Sequence, residues 1–227
     1  MTSIHQASYF PWQGLVNKID KSDVFILLDE VQFNDGAYQN RNLFLDKQYN
    51  KHMLTMPIEK KHYLQKSIKD ILIVDPRWQT KHLKFLMQNY SKHHFYEEIL
   101  EEIMPIYTNK YTYLIDVLEE SILLTLKLFS IDTQVIKQSS INYDERLKKN
   151  ELIIELLHKT NSKSYLSGIG AKAYQNEVLF KQNNISLLYQ NYQQIPYKQF
   201  GCSTFVDGLS SLDLLFNIGK DLAKNYI

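Results

Sequence analysis

The sequence predicts an α/β protein with a mostly parallel sheet, and three observations carry that expectation. First, DVFILLD at 23–29 is a continuous apolar run, the pattern of a strand buried on both faces. Second, a short strand at 2–5 and a helix at 12–20 precede it, with Leu15, Val16 and Ile19 on one helical face, so the chain opens with a compact βαβ unit. Third, the same alternation returns late: QVIKQ at 134–138, a helix at 145–158, the strand and glycine turn of SYLSGIGAKAY, then the strand ISLLYQ.

Taken in order, Pro11 falls near the first turn of the opening helix, where its missing N–H costs nothing. NRNLFLD and HMLTMPI flank the polar DKQYN turn and read as a β-hairpin, expected as an antiparallel addition to the sheet. KDILIV reads as a further strand. Trp78, Leu83, Phe85, Leu86 and Tyr90 then mark a helix, a second covers 95–103 and stops near Pro105, and a third runs over 111–129. In the helix at 145–158, Leu147, Ile153, Ile154, Leu156 and Leu157 recur with helical spacing. A short amphipathic helix at 209–217 follows a loop containing Pro196 and Gly201. The expected whole is a single domain over 1–227: a Rossmann-like sheet, an antiparallel hairpin and a helical middle section at 77–130.

Charge sets limits on partners. With 26 basic and 25 acidic residues the formal net charge is +1, which supplies no field to attract a nucleic-acid duplex or an anionic membrane. The single cysteine, Cys202, excludes an intrachain disulfide and a thiolate zinc cluster and suits a reducing cytoplasm. The chain does not open on a charged region followed by an apolar run, so no secretory leader is expected. The segment 111–129 carries Asp116, Glu119, Glu120 and Lys127, as a globular helix does and a membrane span does not. No metal-binding motif, serine elbow or CxxC pair occurs.

Ligands of open α/β sheets bind beyond the carboxyl ends of the strands, which directs attention to the turn after 2–5 and to its counterparts. His5 closes the first strand and can act as acid, base or hydrogen-bond donor near neutral pH, or can tie down the turn. Asp29 closes the second strand, where its carboxylate could reach the same crevice or cap a turn. Gln6, Tyr9 and Trp12 lie in the first turn, and Gln32 shares the second with Asp29. Asn40 and Arg41 precede the hairpin, and an arginine there could hold a carboxylate or phosphate through two parallel bonds. In WQTKHL, Lys81 and His82 are about 100° apart on a helix, so they cannot form one ligand face, although Trp78 can join either. Ser167, Gly168 and Gly170 form a glycine turn whose backbone could meet an anion, or which simply reverses the chain. Asp213 and Asn217 are polar positions of the last amphipathic helix.

The segments IHQASYFPWQG, DVFILLDEVQF, NRN, WQTKHLKFLMQNY, YLSGIGAKAY and GLSSLDLLFNIG, in this order, resemble the WbqC-like protein family over nearly the whole chain. The family's usual HQP stands here as His5, Gln6 and Ala7, its second glycine after SG as Ala171, and a histidine of its C-terminal loop as Gln194, with Tyr197 and Gln199 kept. His5 and Gln6 are thus intact, and a second cleft histidine is missing. The resemblance implies a place in bacterial surface-polysaccharide (O-antigen) biosynthesis. The expected activity is a transferase that attaches glycine or another aminoacyl or acyl group to the amino group of a nucleotide-activated sugar. Its donor would be an acyl-CoA, an acyl carrier protein, or ATP plus an amino acid. On that expectation His5 and Asp29 are catalytic, and Gln6, Tyr9, Trp12, Gln32, Asn40, Arg41, Lys81, Ser167, Gly168, Gly170, Asp213 and Asn217 bind substrate. The alternatives are an ATP-dependent adenylyl or nucleotidyl transferase, against which YFPWQG lacks the histidines of the HxGH region, and a non-catalytic glycan-pathway binding protein.

Overall fold

The computed structural model describes residues 1–227 and confirms the α/β class. Five strands form one parallel sheet: β1 (Thr2–Gln6), β2 (Val24–Leu28), β5 (Gln134–Lys137), β6 (Ser164–Gly168) and β7 (Ser186–Gln190). Their spatial order is β5-β2-β1-β6-β7, so the chain winds outward from β1 in one direction and, after β5, in the other. That reversal puts a topological switch point between β1 and β6. The strands β3 (Arg41–Leu45) and β4 (Lys51–Thr55) pair antiparallel as predicted, but they make a separate two-stranded sheet rather than an extension of the first.

The helices are α1 (Gln13–Asp20), α2 (Arg77–Tyr90), α3 (Tyr96–Thr108), α4 (Leu114–Leu128), α5 (Lys149–Lys159), α6 (Glu177–Gln182), α7 (Ser211–Ile218) and α8 (Lys220–Ala223). The helical middle section is therefore present as α2, α3 and α4. Two local expectations fail for physical reasons. KDILIV forms no strand, because Leu72 and Ile73 find only single-residue bridges to Tyr113 and Ile58, too few for a ladder. And α3 continues through Pro105 to Thr108, since one proline removes one intrahelical bond and the Asn109 N–H still closes on the Pro105 carbonyl.

The chain divides into two compact units. The first comprises Met1–Gln6, Asn17–Glu30 and Asp132–Gln193 and holds the parallel sheet, with Phe25, Ile26, Leu27, Leu157, Tyr165 and Phe180 in its core. The second comprises Ala7–Val16, Val31–Ile131 and Gln194–Ile227. It has its own core, in which Phe44, Leu86, Tyr90, Ile99, Ile122, Leu215 and Phe216 are all buried. No helix is long and apolar enough to cross a membrane.

Within the second unit Gly219 separates α7 from α8 at φ +78°, and a Cβ added there would stand 2.6 Å from the Phe95 ring. Left-handed backbone and absent space combine, so Gly219→Ala is expected to destabilise by about 2 kcal/mol. A lower urea midpoint at unchanged slope would record it; an unchanged midpoint would contradict the crowding.

Candidate functional site

The site is built by the way β1 meets its two neighbours. With β2 the register runs the length of the strand, from Thr2↔Val24 to Gln6↔Leu28. With β6 it stops after Thr2↔Tyr165 and Ser3↔Leu166. Beyond those pairs the two strands part, and the gap between Gln6 and Gly168 becomes a cavity of about 420 Å³ at the carboxyl ends of the sheet. Its size suits a small-molecule site. His5, Gln6, Lys18, Tyr165, Ser167, Gly168, Gly170, Tyr174 and Gln175 contribute its polar or open wall, and all belong to the first unit.

His5 enters from the end of β1. Its Nδ1 lies 2.9 Å from the Gln6 carbonyl oxygen, which only accepts, so Nδ1 carries the ring proton and Nε2 keeps a lone pair. His5 is an exposed residue on the cavity wall. Desolvation by neighbouring protein atoms first, and the Lys18 ammonium second, push its pKa down to about 4 against the smaller upward pull of the Gln6 carbonyl. At neutral pH His5 is an uncharged imidazole with a fixed tautomer.

Lys18 is the residue that sequence reasoning missed. It is 4% exposed, lines the cavity, and donates from Nζ to the Ile4 carbonyl at 2.8 Å. Burial alone lowers its pKa to about 8, and no carboxylate offsets that shift. The signal was available: Lys18 follows the apolar Leu15 by three positions and so shares its helical face. Across the cavity, Ser167 is 1% exposed and its Oγ accepts from Gln175 Nε2 at 2.8 Å. Gln175 Oε1 is buried without a partner. At Gly168 and Gly170 a Cβ would meet nothing within 4 Å, so the wall there is open space.

Asp29 does not reach this cavity. It is 2% exposed and accepts from the Ser139 N–H at 2.9 Å and from Ser139 Oγ at 2.5 Å, fastening the turn that follows β5. The remaining sequence candidates belong to the second unit. Tyr9 is fully buried, with its hydroxyl 2.9 Å from Tyr107 and 3.2 Å from His82 Nδ1. Trp12 is half-exposed and covers Gly14. Gln32 donates to the Leu64 carbonyl, and Asn40 Nδ2 to the Met56 carbonyl at 2.9 Å. Arg41 is partly buried with Nε unpartnered, and Lys81 is an exposed residue 3.7 Å from Asp75. Asp213 is fully buried and accepts from Tyr90 (2.9 Å), Tyr197 (2.6 Å) and Gln199 (3.0 Å), while Asn217 Nδ2 bonds the Asp213 carbonyl at 2.7 Å. Gln194, where the family histidine was expected, bonds Gln13 and the Gly208 N–H.

A second cavity of about 470 Å³, in the second unit, is lined by Leu45, Tyr49, Met87, Tyr90, His93 and Phe200 among others. It lies at no strand switch point. Its His93 is tied to the Tyr90 carbonyl at 3.0 Å, and its Asp46 to the Gln48 and Asn50 N–H groups. The β1/β6 cavity, with a neutral imidazole and a buried ammonium converging at strand ends, is the stronger candidate.

The comparisons agree with the resemblance read from the sequence. A Mycobacterium tuberculosis (strain ATCC 25618 / H37Rv) protein described as "Uncharacterized protein Rv1507c" is 29% identical over 227 residues, which cover 99% of this chain and 96% of that protein. No solved structure matches. The profile of the WbqC-like protein family matches residues 6–225, and the chain belongs to that family.

Proposed function

We propose that this protein is a transferase of bacterial surface-polysaccharide biosynthesis that attaches glycine or another acyl group to the amino group of a nucleotide-activated sugar. The observation that carries the reading is the His5 imidazole: neutral, fixed in one tautomer, its Nε2 lone pair free, at the switch-point cavity of a parallel sheet. Membership of the WbqC-like family fits a glycan-related role. The sugar amine attacks the carbonyl carbon of the activated acyl donor, and the carbon–leaving-group bond breaks with its electron pair going to the leaving group. The nitrogen's surplus proton passes to His5 Nε2. The amine nitrogen becomes acidic once it has bonded to the carbonyl carbon, and that is the point at which the neutral imidazole takes its proton.

The donor is an acyl-CoA, an acyl carrier protein, or ATP with an amino acid. Incubating the purified protein with amino-sugar nucleotides and each donor, then weighing the products by mass spectrometry, identifies the added group. His5→Gln is expected to lower kcat about 100-fold or more with KM little changed. Full activity of His5→Gln on the identified pair removes the base assignment. The cationic wall supplied by Lys18 also favours a second reading, ATP-dependent adenylyl transfer. That reading requires pyrophosphate to exchange into ATP in the presence of the protein, and the absence of exchange excludes it.

A further inference from the structure

The β1/β6 cavity has a charge pattern in which the acyl-transfer step itself gives Lys18 no part. The ionisable side chains lining it are His5 on β1, Lys18 on α1, Tyr165 on β6 and Tyr174 on the turn after β6; β2 and α5 contribute only Leu28 and Ile153, and no carboxylate lines it. An ammonium has three N–H donors, and the Ile4 carbonyl takes one from Lys18. A buried cation without a counter-charge is costly unless something that visits the site supplies one. The opposite wall, at Gly168 and Gly170, has no side chain to fill the space in front of it.

We infer that the cavity binds an oxyanion of the substrate, a phosphate or diphosphate group, on the two remaining N–H donors of Lys18, with the group seated against the open backbone at Gly168 and Gly170. Phosphate fits better than a carboxylate because its several acceptor oxygens can meet donors on both walls at once. The anion also changes His5. Lys18 and His5 repel one another's positive charge, so neutralising the ammonium raises the basicity of the imidazole beside it. Lys18 is thus a binding residue that makes substrate occupancy switch on the base.

The inference rests on the same cavity as the transferase reading but is tested without turnover. Inorganic pyrophosphate, UDP and, as the carboxylate control, acetate are titrated into the full chain by calorimetry, while the His5 ring resonance is followed against pH by NMR. Pyrophosphate and UDP are expected to bind and to move the His5 midpoint upward, and acetate to do neither. In Lys18→Met, which keeps the apolar stem, binding is expected to weaken about tenfold or more. In that variant the unliganded His5 midpoint should already be raised and should no longer respond. Lys18→Arg, with its charge retained, should keep measurable binding. Acetate binding in place of the phosphates, equal pyrophosphate affinity in Lys18→Met, or a His5 midpoint that pyrophosphate leaves unmoved would overturn the inference. Phosphate binding through Lys18 with no acylated product from any donor leaves it standing and ends the transfer reading instead.

Discussion

Asp213→Ala is expected to destabilise the protein by about 4 kcal/mol. The carboxylate is fully buried with no cation, and it is held by Tyr90, Tyr197 and Gln199. Removing it leaves the Tyr90 and Tyr197 hydroxyls without an acceptor, each costing about 1–3 kcal/mol before relaxation, and takes from Gln199 Nε2 one of its two acceptors, the Val206 carbonyl remaining. The loss spreads further, because Tyr90 Oη also accepts from the Leu45 N–H at 2.8 Å and so links α2, α7 and the hairpin. Asp213→Asn should cost roughly half as much, since one amide oxygen survives while the amide hydrogens face existing donors. Urea unfolding measures both variants, and an Asp213→Ala within about 1 kcal/mol of the parent would show that water replaces the carboxylate. Burial raises the Asp213 pKa above the ordinary carboxylate value, against the pull of Tyr197, Gln199 and Tyr90. An acid with a raised folded-state pKa contributes stability that is full below its unfolded pKa and lost as pH rises through the folded value. Mild acidification should therefore favour folding through this group, the reverse of an ordinary salt-bridged aspartate.

The second large effect has the opposite sign. Lys18→Met is expected to stabilise the unliganded protein by about 2 kcal/mol while removing its anion site. A pKa of about 8 against an unperturbed value near ~10.4 corresponds to a cost of about 3 kcal/mol for keeping the ammonium charged in the fold. The lost bond to the Ile4 carbonyl returns about 1 kcal/mol of that gain. Because the folded-state pKa is depressed, the unfolded chain binds more protons between about 8 and ~10.4, and parent stability rises with pH across that window. The advantage of Lys18→Met should be full below pH about 8 and gone near pH ~10.4. Melting curves of the two proteins at pH 7 and pH 10 test this, and an advantage that does not shrink at pH 10 would show that packing rather than charge is responsible. A buried group that lowers stability and serves binding is the usual signature of a functional position.

The parallel sheet was legible because a strand covered on both faces must be apolar along its length, as VFILL is, and the period of the flanking helices is unambiguous. Half of the site was legible for a topological reason: His5, Gln6, Ser167, Gly168 and Gly170 sit at strand ends, and strand ends converge at a switch point. Lys18 escaped because a charge on a short helix reads as solvated, and only its position three residues after Leu15 said otherwise. Asp29, Tyr9, Asn40 and Asp213 show the converse difficulty. Each is a polar or amphipathic residue bordering an apolar run, but the sequence cannot say whether its partner is a ligand or another part of the same chain, and in all four the structure supplies an internal partner. KDILIV had the composition of a strand and lacked a neighbour to pair with.

The sheet order carries one further consequence, for the order of events during synthesis. β5 pairs with β2, Val24↔Gln134 to Leu27↔Lys137, yet about one hundred residues separate them, most of them belonging to the second unit. Thermodynamically that separation matters little, because loop-closure entropy grows only logarithmically, by about 0.6 kcal/mol per doubling. In time it matters more. At about 5–20 residues per second, β2 leaves the ribosome roughly 5–20 s before its edge partner exists. Through that interval the VFILL edge is unpaired, apolar and uncharged, the kind of segment that joins another nascent chain. The β1 edge that receives β6 waits longer still, so both edges of the β1–β2 pair are open while the second unit is translated.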